Sequence, residues 1–337
     1  MRQNILMSLI LSSALLLANS PIEKKIVSTL QKVETDTDFT LMLRSKDNKA
    51  FSFSRGKSTP QSMYRSASAS KWVATVVILD LVKEGKLSLD DHPQKYIKRW
   101  SKKGERSKIK LRHLLNFTSG LTKMPWCINF AFGNFEHCTT KIANKNKSSK
   151  HAGSSFYYGA SHLQVAGLMA VKASGLGSWE KVFEAFKRKT HLFSKSQFDL
   201  PSKKNPRLSA GMHFNAEEYL EFLEALYTKK ILTPQLIKEM ESDQIKNAII
   251  ERSPAKKGIN EDWHYGYGNW IECHNSKNNC TQTTKVSSPG AFGAYPFIDY
   301  EHGYYGILAR EGRLGTFVNG YRIFEKVSDD LELWSQP

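Results

Sequence analysis

A serine and a lysine three residues apart, Ser68 and Lys71, are the residues whose types and spacing best suit covalent catalysis. An almost wholly apolar stretch follows at residues 72–82, which is typical of a helix buried in the centre of a fold. Positions i and i+3 of a helix share a face, so the hydroxyl and the amine would lie side by side. Burial and the helix dipole both favour a neutral amine, which can accept the serine proton during attack on a carbonyl.

The same spacing recurs beside polar loops, without a buried helix after it, at Ser54 with Lys57, Ser107 with Lys110, and Ser253 with Lys256. The alternative interpretation of Ser68 and Lys71 is a serine-rich helix cap followed by a solvated lysine. Signatures of other reaction classes are missing, because the sequence contains neither an HExxH zinc motif nor a GxSxG elbow. A phosphate-binding loop ending at Ser58 is also excluded, because Phe51 stands where its first glycine belongs.

The elements that must position this pair fall into a sheet-forming part and a helical part. Strand patterns lie near both ends of the chain, at residues 39–44, 50–54, 266–272, 293–299 and 304–309. Helical patterns lie at residues 22–34, 111–116, 161–173, 179–186, 216–226, 234–240 and 318–333. Strands from the two ends can pair into one antiparallel sheet, with the helical insert packed at its side and a cleft between them.

Four segments in chain order resemble the serine β-lactamase and penicillin-binding-protein superfamily, nearest its class C and esterase-like branch. They are YRSASASK at residues 64–71, LRHLLNFTSGL at 111–121, GSSFYY at 153–158 and SPGAFGAYPFID at 288–299. The first resembles the segment that carries the nucleophile, the third the Tyr-x-Asn motif, and the fourth the Lys-or-His-x-Gly motif. This collinearity, from about residue 37 to 325, is far more specific than the Ser-x-x-Lys spacing alone.

The resemblance implies an α+β fold, in which an antiparallel β-sheet is flanked by helices and carries an inserted helical lobe. We expect one serine hydrolase domain over residues 21–337, with the α/β part at about 21–83 and 256–337 and the lobe at about 84–255. Ser68 is the expected nucleophile, Lys71 and Tyr158 handle its proton, and the backbone amides of Ser68 and Ala291 stabilise the oxyanion. Tyr157 takes the tyrosine role if the register of the motif shifts by one residue. The alternative interpretation of Tyr158 is a core aromatic residue with a satisfied hydroxyl. No metal or organic cofactor is implied.

Two motif positions depart from the family pattern. Ala160 replaces an asparagine that helps to orient the lysine and the substrate, and Ser288 replaces the cation that precedes Gly290 by two residues. Since a hydroxyl is neutral, Ser288 predicts a preference for esters, or amides without a free carboxylate, over penicillins and D-Ala-D-Ala peptides. The expected activity is acyl-enzyme hydrolysis of an ester, an amide or a peptidoglycan-type substrate. The alternative is a non-catalytic cationic cell-envelope binding protein on the same fold.

The N-terminus indicates export. Arg2 precedes an apolar run at residues 5–18 that ends in Asn19-Ser20-Pro21, which predicts a signal peptide over residues 1–20. The run is shorter than the roughly 20 residues of a spanning helix, although an uncleaved anchor is the alternative. We therefore expect a periplasmic or secreted protein without a transmembrane span.

The four cysteines form two close pairs, Cys127 with Cys138 and Cys273 with Cys280. In an exported chain they favour two disulfides over metal sites completed by the adjoining His137 and His274.

The net charge of +17 and the lysine-dense segments at 102–110, 141–150 and 181–189 would attract anionic polymers of the cell envelope. A solvated, lysine-rich surface without a specific partner is nevertheless the preferred interpretation. Nucleic acid is not predicted, because zinc-finger spacing and RNA-binding aromatic motifs are missing from the sequence.

Overall fold

The computed structural model describes residues 20–147, 150–272 and 283–337. The strands in these residues are β1 (Phe39–Ser45), β2 (Ala50–Arg55), β3 (Tyr64–Arg65), β4 (Ser155–Tyr157), β5 (Gln197–Phe198), β6 (Met212–Phe214), β7 (Ile249–Arg252), β8 (His264–Tyr265), β9 (Trp270–Ile271), β10 (Lys285–Ser287), β11 (Tyr295–Asp299) and β12 (Tyr304–Arg310). The helices are α1 (Pro21–Lys32), α2 (Ser70–Lys83), α3 (Pro93–Tyr96), α4 (Leu111–Leu115), α5 (Phe135–Lys145), α6 (Ser161–Ser174), α7 (Trp179–Thr190), α8 (Ala216–Tyr227), α9 (Pro234–Met240), α10 (Pro254–Ile259), α11 (Phe317–Glu325) and α12 (Ser328–Ser335).

Seven strands form one antiparallel sheet in the order β2-β1-β12-β11-β10-β9-β8. Strands from the two ends of the chain pair in this sheet, because β1 lies beside β12, with Phe39 opposite Arg310 and Ser45 opposite Tyr304. Helices α8 and α11 pack on the sheet, and α1 packs on α12. The predicted α+β fold with an antiparallel sheet flanked by helices is confirmed.

Helix α2 lies in the core, as its apolar sequence predicts. Every residue from Ser70 to Leu81 is buried, and the helix contacts α6 and α7. After α2, the chain turns at Gly85 with a φ of +72°, a conformation that costs glycine little. The buried helix therefore provides a rigid base for the residues at its N-terminus.

Three features of the fold differ from the sequence-based expectations. Residues 266–272, predicted as one strand, contain only the two-residue β9, and residues 266–269 form the turn that joins it to β8. Residues 318–333 form two helices, because α11 packs on the sheet while α12 packs on α1. Small sheets, β3-β6-β5 and the parallel pair β4-β7, lie outside the large sheet, and their strands of two to four residues are too short for a periodic signal.

The division into an α/β part and a lobe stays a prediction. Helix α8 falls within the range predicted for the lobe, yet it contacts β1, β11 and β12 of the large sheet. Residues 1–19 of the predicted signal peptide lie outside the described residues. In the part of the chain that is described, no helix has the length and apolar character needed to cross a membrane.

Candidate active site

Ser68 lies in a tight turn immediately before α2. The turn, a 3₁₀ helix at Ala67–Ala69, includes a positive φ of 44° at Ala67, which is unfavourable for a residue with a side chain. Two neighbouring serines hold this conformation. The Ser70 hydroxyl donates to the Ala67 carbonyl at 2.8 Å, and the Ser66 hydroxyl donates to the Met212 carbonyl at 2.7 Å. Ser66 and Ser70 are buried, whereas Ser68 lines a cleft.

Lys71 is the nearest basic group to Ser68. Its Nζ lies 2.9 Å from Ser68 Oγ and donates to the Ser209 carbonyl at 2.7 Å. The side chain is buried, and burial lowers the pKa of the amine well below its usual 10.5, with smaller contributions from the charges of Arg207 and Arg252. The neutral amine can therefore point its lone pair at the Ser68 hydroxyl while its N–H group is bound to Ser209.

Tyr158 completes this group. Its ring centroid lies 4.6 Å from Lys71 Nζ, and its hydroxyl is near enough to Ser68 and Trp270 for both to lower its pKa slightly against the effect of burial. Burial raises the pKa of Tyr158 to about 12, so the phenol stays protonated at ordinary pH. The neighbouring Tyr157 instead accepts a hydrogen bond from Arg252 at 3.3 Å. Of the two tyrosines weighed from the sequence, Tyr158 is the one beside Ser68.

A buried histidine fixes the segment that carries Tyr158. His162 Nε2 lies 2.9 Å from the Tyr157 carbonyl, and its Nδ1 lies 2.7 Å from the Ser119 hydroxyl. Phe117 stacks on the imidazole with the ring centroids 4.9 Å apart. Burial lowers the pKa of His162 to about 4, so the ring is neutral. The segment LRHLLNFTSGL thus supports the tyrosine of the next motif.

The backbone amides of Ser68 and Ala291 lie at the same cleft, which both residues line. No loop or side-chain acceptor in the described residues takes a hydrogen bond from either amide. Glycine at position 290 allows the turn that carries Ala291 to lie close to the turn that carries Ser68. A Cβ at this position would lie only 2.3 Å from the Ser66 carbonyl oxygen. The Gly290 amide donates to the Ala294 carbonyl at 2.7 Å, which closes the turn that presents Ala291. Two free donors facing one cleft are the requirement for an oxyanion hole.

The resemblance implies that the two altered motif positions contact the substrate, but neither residue lines the cleft. Ala160 caps α6 and is not among the residues that line the cleft, and the Ser209 carbonyl supplies Lys71 with its second partner. Ser288 is buried, and its hydroxyl donates to the carbonyl of Ser68 at 3.3 Å. Ser288 therefore supports the backbone of the nucleophile through this hydrogen bond. A backbone carbonyl such as that of Ser209 has no signal in residue type, which is why the sequence did not indicate it.

The cleft is small and has mainly apolar walls. Its volume is about 170 Å³, and it is lined by Ser68, Tyr158, Arg252, Pro254, Ala255, Trp263, Trp270, Pro289, Ala291 and Phe317. The exposed residue Arg252 is the charged residue on this wall. Neither it nor Trp263, Trp270 and Phe317 were found from the sequence, because their spacing follows no motif. Arg252 thus places a positive charge at the cleft, whereas the hydroxyl of Ser288 is neutral.

The predicted disulfide partners Cys127 and Cys138 lie with their sulfur atoms 2.05 Å apart. Cys273 and Cys280 lie outside the described residues.

The comparisons with known proteins agree with this geometry. The model of the β-lactamase family matches residues 43–310. None of the curated protein sequences matches the chain. A crystal structure of a protein provisionally named a β-lactamase, from Bacteroides dorei DSM 17855, is similar with a TM-score of 0.77 and 26% identity over 93% of this chain and 98% of that one.

Two further structures share the fold at lower identity. The hydrolase EstCE1, which has promiscuous acyltransferase activity, has a TM-score of 0.75 at 16% identity over 93% of this chain and 100% of its own. The D-amino acid amidase from Ochrobactrum anthropi SV3 has a TM-score of 0.69 at 15% identity over 93% of this chain and 99% of its own. Because the family model covers most of the chain, including the Ser68 turn and the Ala291 turn, this protein belongs to the β-lactamase family.

Proposed function

We propose that this protein is a serine hydrolase that cleaves an ester or amide through an acyl-enzyme formed on Ser68. The observation that carries the proposal is the 2.9 Å contact between Ser68 Oγ and the buried amine of Lys71. A lysine is a useful base only when it is neutral, and burial keeps this one neutral well below its usual pKa of 10.5. The names of the structural neighbours, a hydrolase and an amidase, support the same class of reaction.

Acylation begins with attack of Ser68 Oγ on the substrate carbonyl while its proton passes to Lys71 Nζ. The carbonyl oxygen becomes an oxyanion between the amides of Ser68 and Ala291. The tetrahedral intermediate then collapses, and the bond to the leaving group breaks. The leaving oxygen or nitrogen takes the proton from Lys71, either directly or through the hydroxyl of Tyr158, which lines the same cleft as Ser68.

Deacylation repeats these steps with water as the nucleophile. Lys71 accepts a proton from the water as it attacks the acyl carbon, and the oxyanion forms again at the same two amides. When the bond to Ser68 Oγ breaks, the proton returns to the serine and the carboxylic acid product leaves. The cycle consumes one water, and its proton transfers use only Lys71, Tyr158 and Ser68.

The cleft limits the group that can lie beside the scissile bond. A volume of about 170 Å³ with tryptophan walls suits a small apolar or single-ring group, since cavities of about 150 Å³ accept benzene. Larger parts of a substrate, such as a peptidoglycan stem, would have to extend outside. Arg252 offers a carboxylate a partner on this wall, so the proposal includes substrates that carry an anionic group as well as neutral esters.

We also propose that the protein acts outside the cytoplasm, on the basis of the basic and apolar pattern of residues 1–20. Mass spectrometry of the protein recovered from the periplasm or medium tests this, and an unprocessed N-terminus in a cytoplasmic fraction would contradict it.

The decisive experiment is covalent labelling of the purified protein with a fluorophosphonate and with a fluorescent penicillin. We expect label on Ser68 alone, a loss of kcat of about 10³-fold or more in Ser68→Ala, and a comparable loss in Lys71→Ala that does not add to it. Ser107→Ala is the matched control, since Ser107 also precedes a lysine by three residues, and it should keep full labelling. Mapping of the label to another serine would overturn the assignment. No label with either probe, together with no hydrolysis above background in the wild type or in Ser68→Ala, would favour the cationic binding protein instead.

A further inference from the structure

A loop on the helical side of the molecule exposes large apolar side chains next to a group of lysines. We propose that this loop, residues 124–132 and here called the aromatic loop, docks on the surface of an anionic lipid bilayer. The proposal concerns where the protein binds and does not depend on the reaction proposed for Ser68.

The aromatic loop concentrates apolar exposure. The described residues include ten exposed large apolar side chains, and four of them lie within this nine-residue segment. They are Met124 at 46% exposure, Trp126 at 74%, Phe130 at 55% and Phe132 at 103%. Clustered exposure of this kind marks an interaction site, whereas single exposed apolar residues are ordinary.

The outward direction of these side chains is built into the fold. Side chains of the neighbouring segment 202–207 hold the loop through hydrogen bonds. Asn205 donates to the carbonyls of Cys127 (2.7 Å) and Phe130 (3.0 Å). Ser202 donates to the carbonyl of Ala131 (2.6 Å), and Arg207 donates to the side chain of Asn129 (2.7 Å). Cys127 and Ile128 point inward and are buried. The loop thus has an anchored inner side and an apolar outer side.

Lysines lie close to the aromatic loop in the sequence, and one of them contacts it. Residues 123–147 contain four lysines, Lys123, Lys141, Lys145 and Lys147, and one acidic residue, Glu136. All four lysines are exposed, and Lys145 donates to the Met124 carbonyl at 3.3 Å. Glu136 pairs with Lys172, so its charge is compensated. The loop therefore combines an apolar tip with an uncompensated positive rim.

An anionic bilayer matches both properties at once. Tryptophan and phenylalanine enter the boundary between head groups and acyl chains, while lysines attract the head groups. A glycan would need free hydrogen-bonding groups beside the rings, and in this loop the carbonyls of Met124, Cys127, Phe130 and Ala131 are already bound within the protein. A second copy of this chain would bring two lysine rims together, which costs energy by like-charge repulsion.

Binding to lipid vesicles tests the proposal. Protein isolated after export is sedimented with vesicles of phosphatidylcholine alone and of phosphatidylcholine with phosphatidylglycerol. We expect binding to the anionic vesicles, weakened by salt. The variant Trp126→Ser/Phe132→Ser should bind about 30- to 100-fold more weakly, at roughly five- to tenfold per aromatic side chain. Lys141→Glu/Lys145→Glu should weaken binding to anionic vesicles at least about tenfold.

Leu333→Ser is the matched control, because Leu333 is also exposed but lies in α12 among acidic residues, and it should bind as the wild type does. Quenching of tryptophan fluorescence by brominated lipid locates the contact, since Trp126→Phe should remove most of the quenching while binding persists. All variants should keep their circular dichroism and their rate of fluorophosphonate labelling. Absence of vesicle binding would overturn the proposal, as would equal binding by the loop variant. Self-association abolished by the loop variant, or retention on peptidoglycan without vesicle binding, would also overturn it and identify a different partner.

Discussion

Gly290→Ala tests the oxyanion hole without changing a side chain that handles protons. A Cβ at position 290 would lie 2.3 Å from the Ser66 carbonyl oxygen, whereas ordinary contact begins near 3.4 Å. The Ala291 turn and the Ser68 turn must therefore separate by about 1 Å. Because each turn supplies one of the two proposed oxyanion donors, the separation spoils their convergence on a single oxygen atom.

The expected loss follows from that displacement. Removal of one oxyanion-hole donor costs about 10² to 10³ in kcat, and a 1 Å misplacement of a reacting group costs about 10². We therefore expect Gly290→Ala to lower kcat for a p-nitrophenyl ester by about 10²-fold. The contact between Lys71 and Ser68 lies within α2 and its preceding turn, so the pH dependence of the remaining activity should be unchanged.

The control is Gly175→Ala, at the C-terminus of α6. Gly175 has a φ of +71° and open space around it, so alanine there adds backbone strain without a clash. This variant measures the effect of a modest general destabilisation on kcat. An unchanged kcat in a correctly folded Gly290→Ala protein would refute the role of the Ala291 amide.

Three further predictions concern the side chains of the site. Because burial lowers the pKa of Lys71, kcat/KM should fall as the pH drops through that lowered pKa and the amine becomes protonated, and a pH profile with a neutral ester measures this. Tyr158→Phe should lower kcat by about 10²-fold or more, whereas Tyr157→Phe should leave it nearly unchanged, and steady-state kinetics of the pair distinguish a proton relay from aromatic packing. Arg252→Gln should lower kcat/KM for a carboxylate-bearing ester by about tenfold, with little change for a neutral ester, since it replaces a charged partner by a neutral one. The same variant should shift the acid limb of the pH profile to higher pH, because the charge of Arg252 contributes to the lowered pKa of Lys71.

The sequence was informative where structure depends on local pattern. The apolar run after Lys71 predicted a buried helix, because such a run has no polar face to expose, and the structure buries it from Ser70 to Leu81. The pairing of β1 with β12 was predictable from strand patterns at both ends of the chain. Strands of two or three residues, such as β3 and β5, were not, because tertiary contacts alone define them.

The residues of the site likewise divide into those that the sequence predicted and those that it did not. Ser68, Lys71 and Tyr158 could be placed by collinear motifs, and the structure brings them together. The Ser209 carbonyl and the Arg252 guanidinium could not be found, because the first is a backbone atom and the second reaches the cleft through the unpredicted parallel pair of β4 and β7. Both depend on contacts between segments far apart in sequence.

These two unpredicted groups bear on the departures at Ala160 and Ser288. The loss of an asparagine beside Lys71 would leave a buried amine short of a partner, which is costly in a desolvated site. The Ser209 carbonyl removes that cost by accepting an N–H of Lys71 at 2.7 Å. When the amine is neutral, its lone pair can then accept the proton of the Ser68 hydroxyl, whose oxygen lies 2.9 Å away. Arg252 likewise places a positive charge at the cleft, although it lies far from the Ser288 motif in the sequence. Because the missing side chains are replaced by groups already fixed in the fold, the altered motifs by themselves are no argument against catalysis at Ser68.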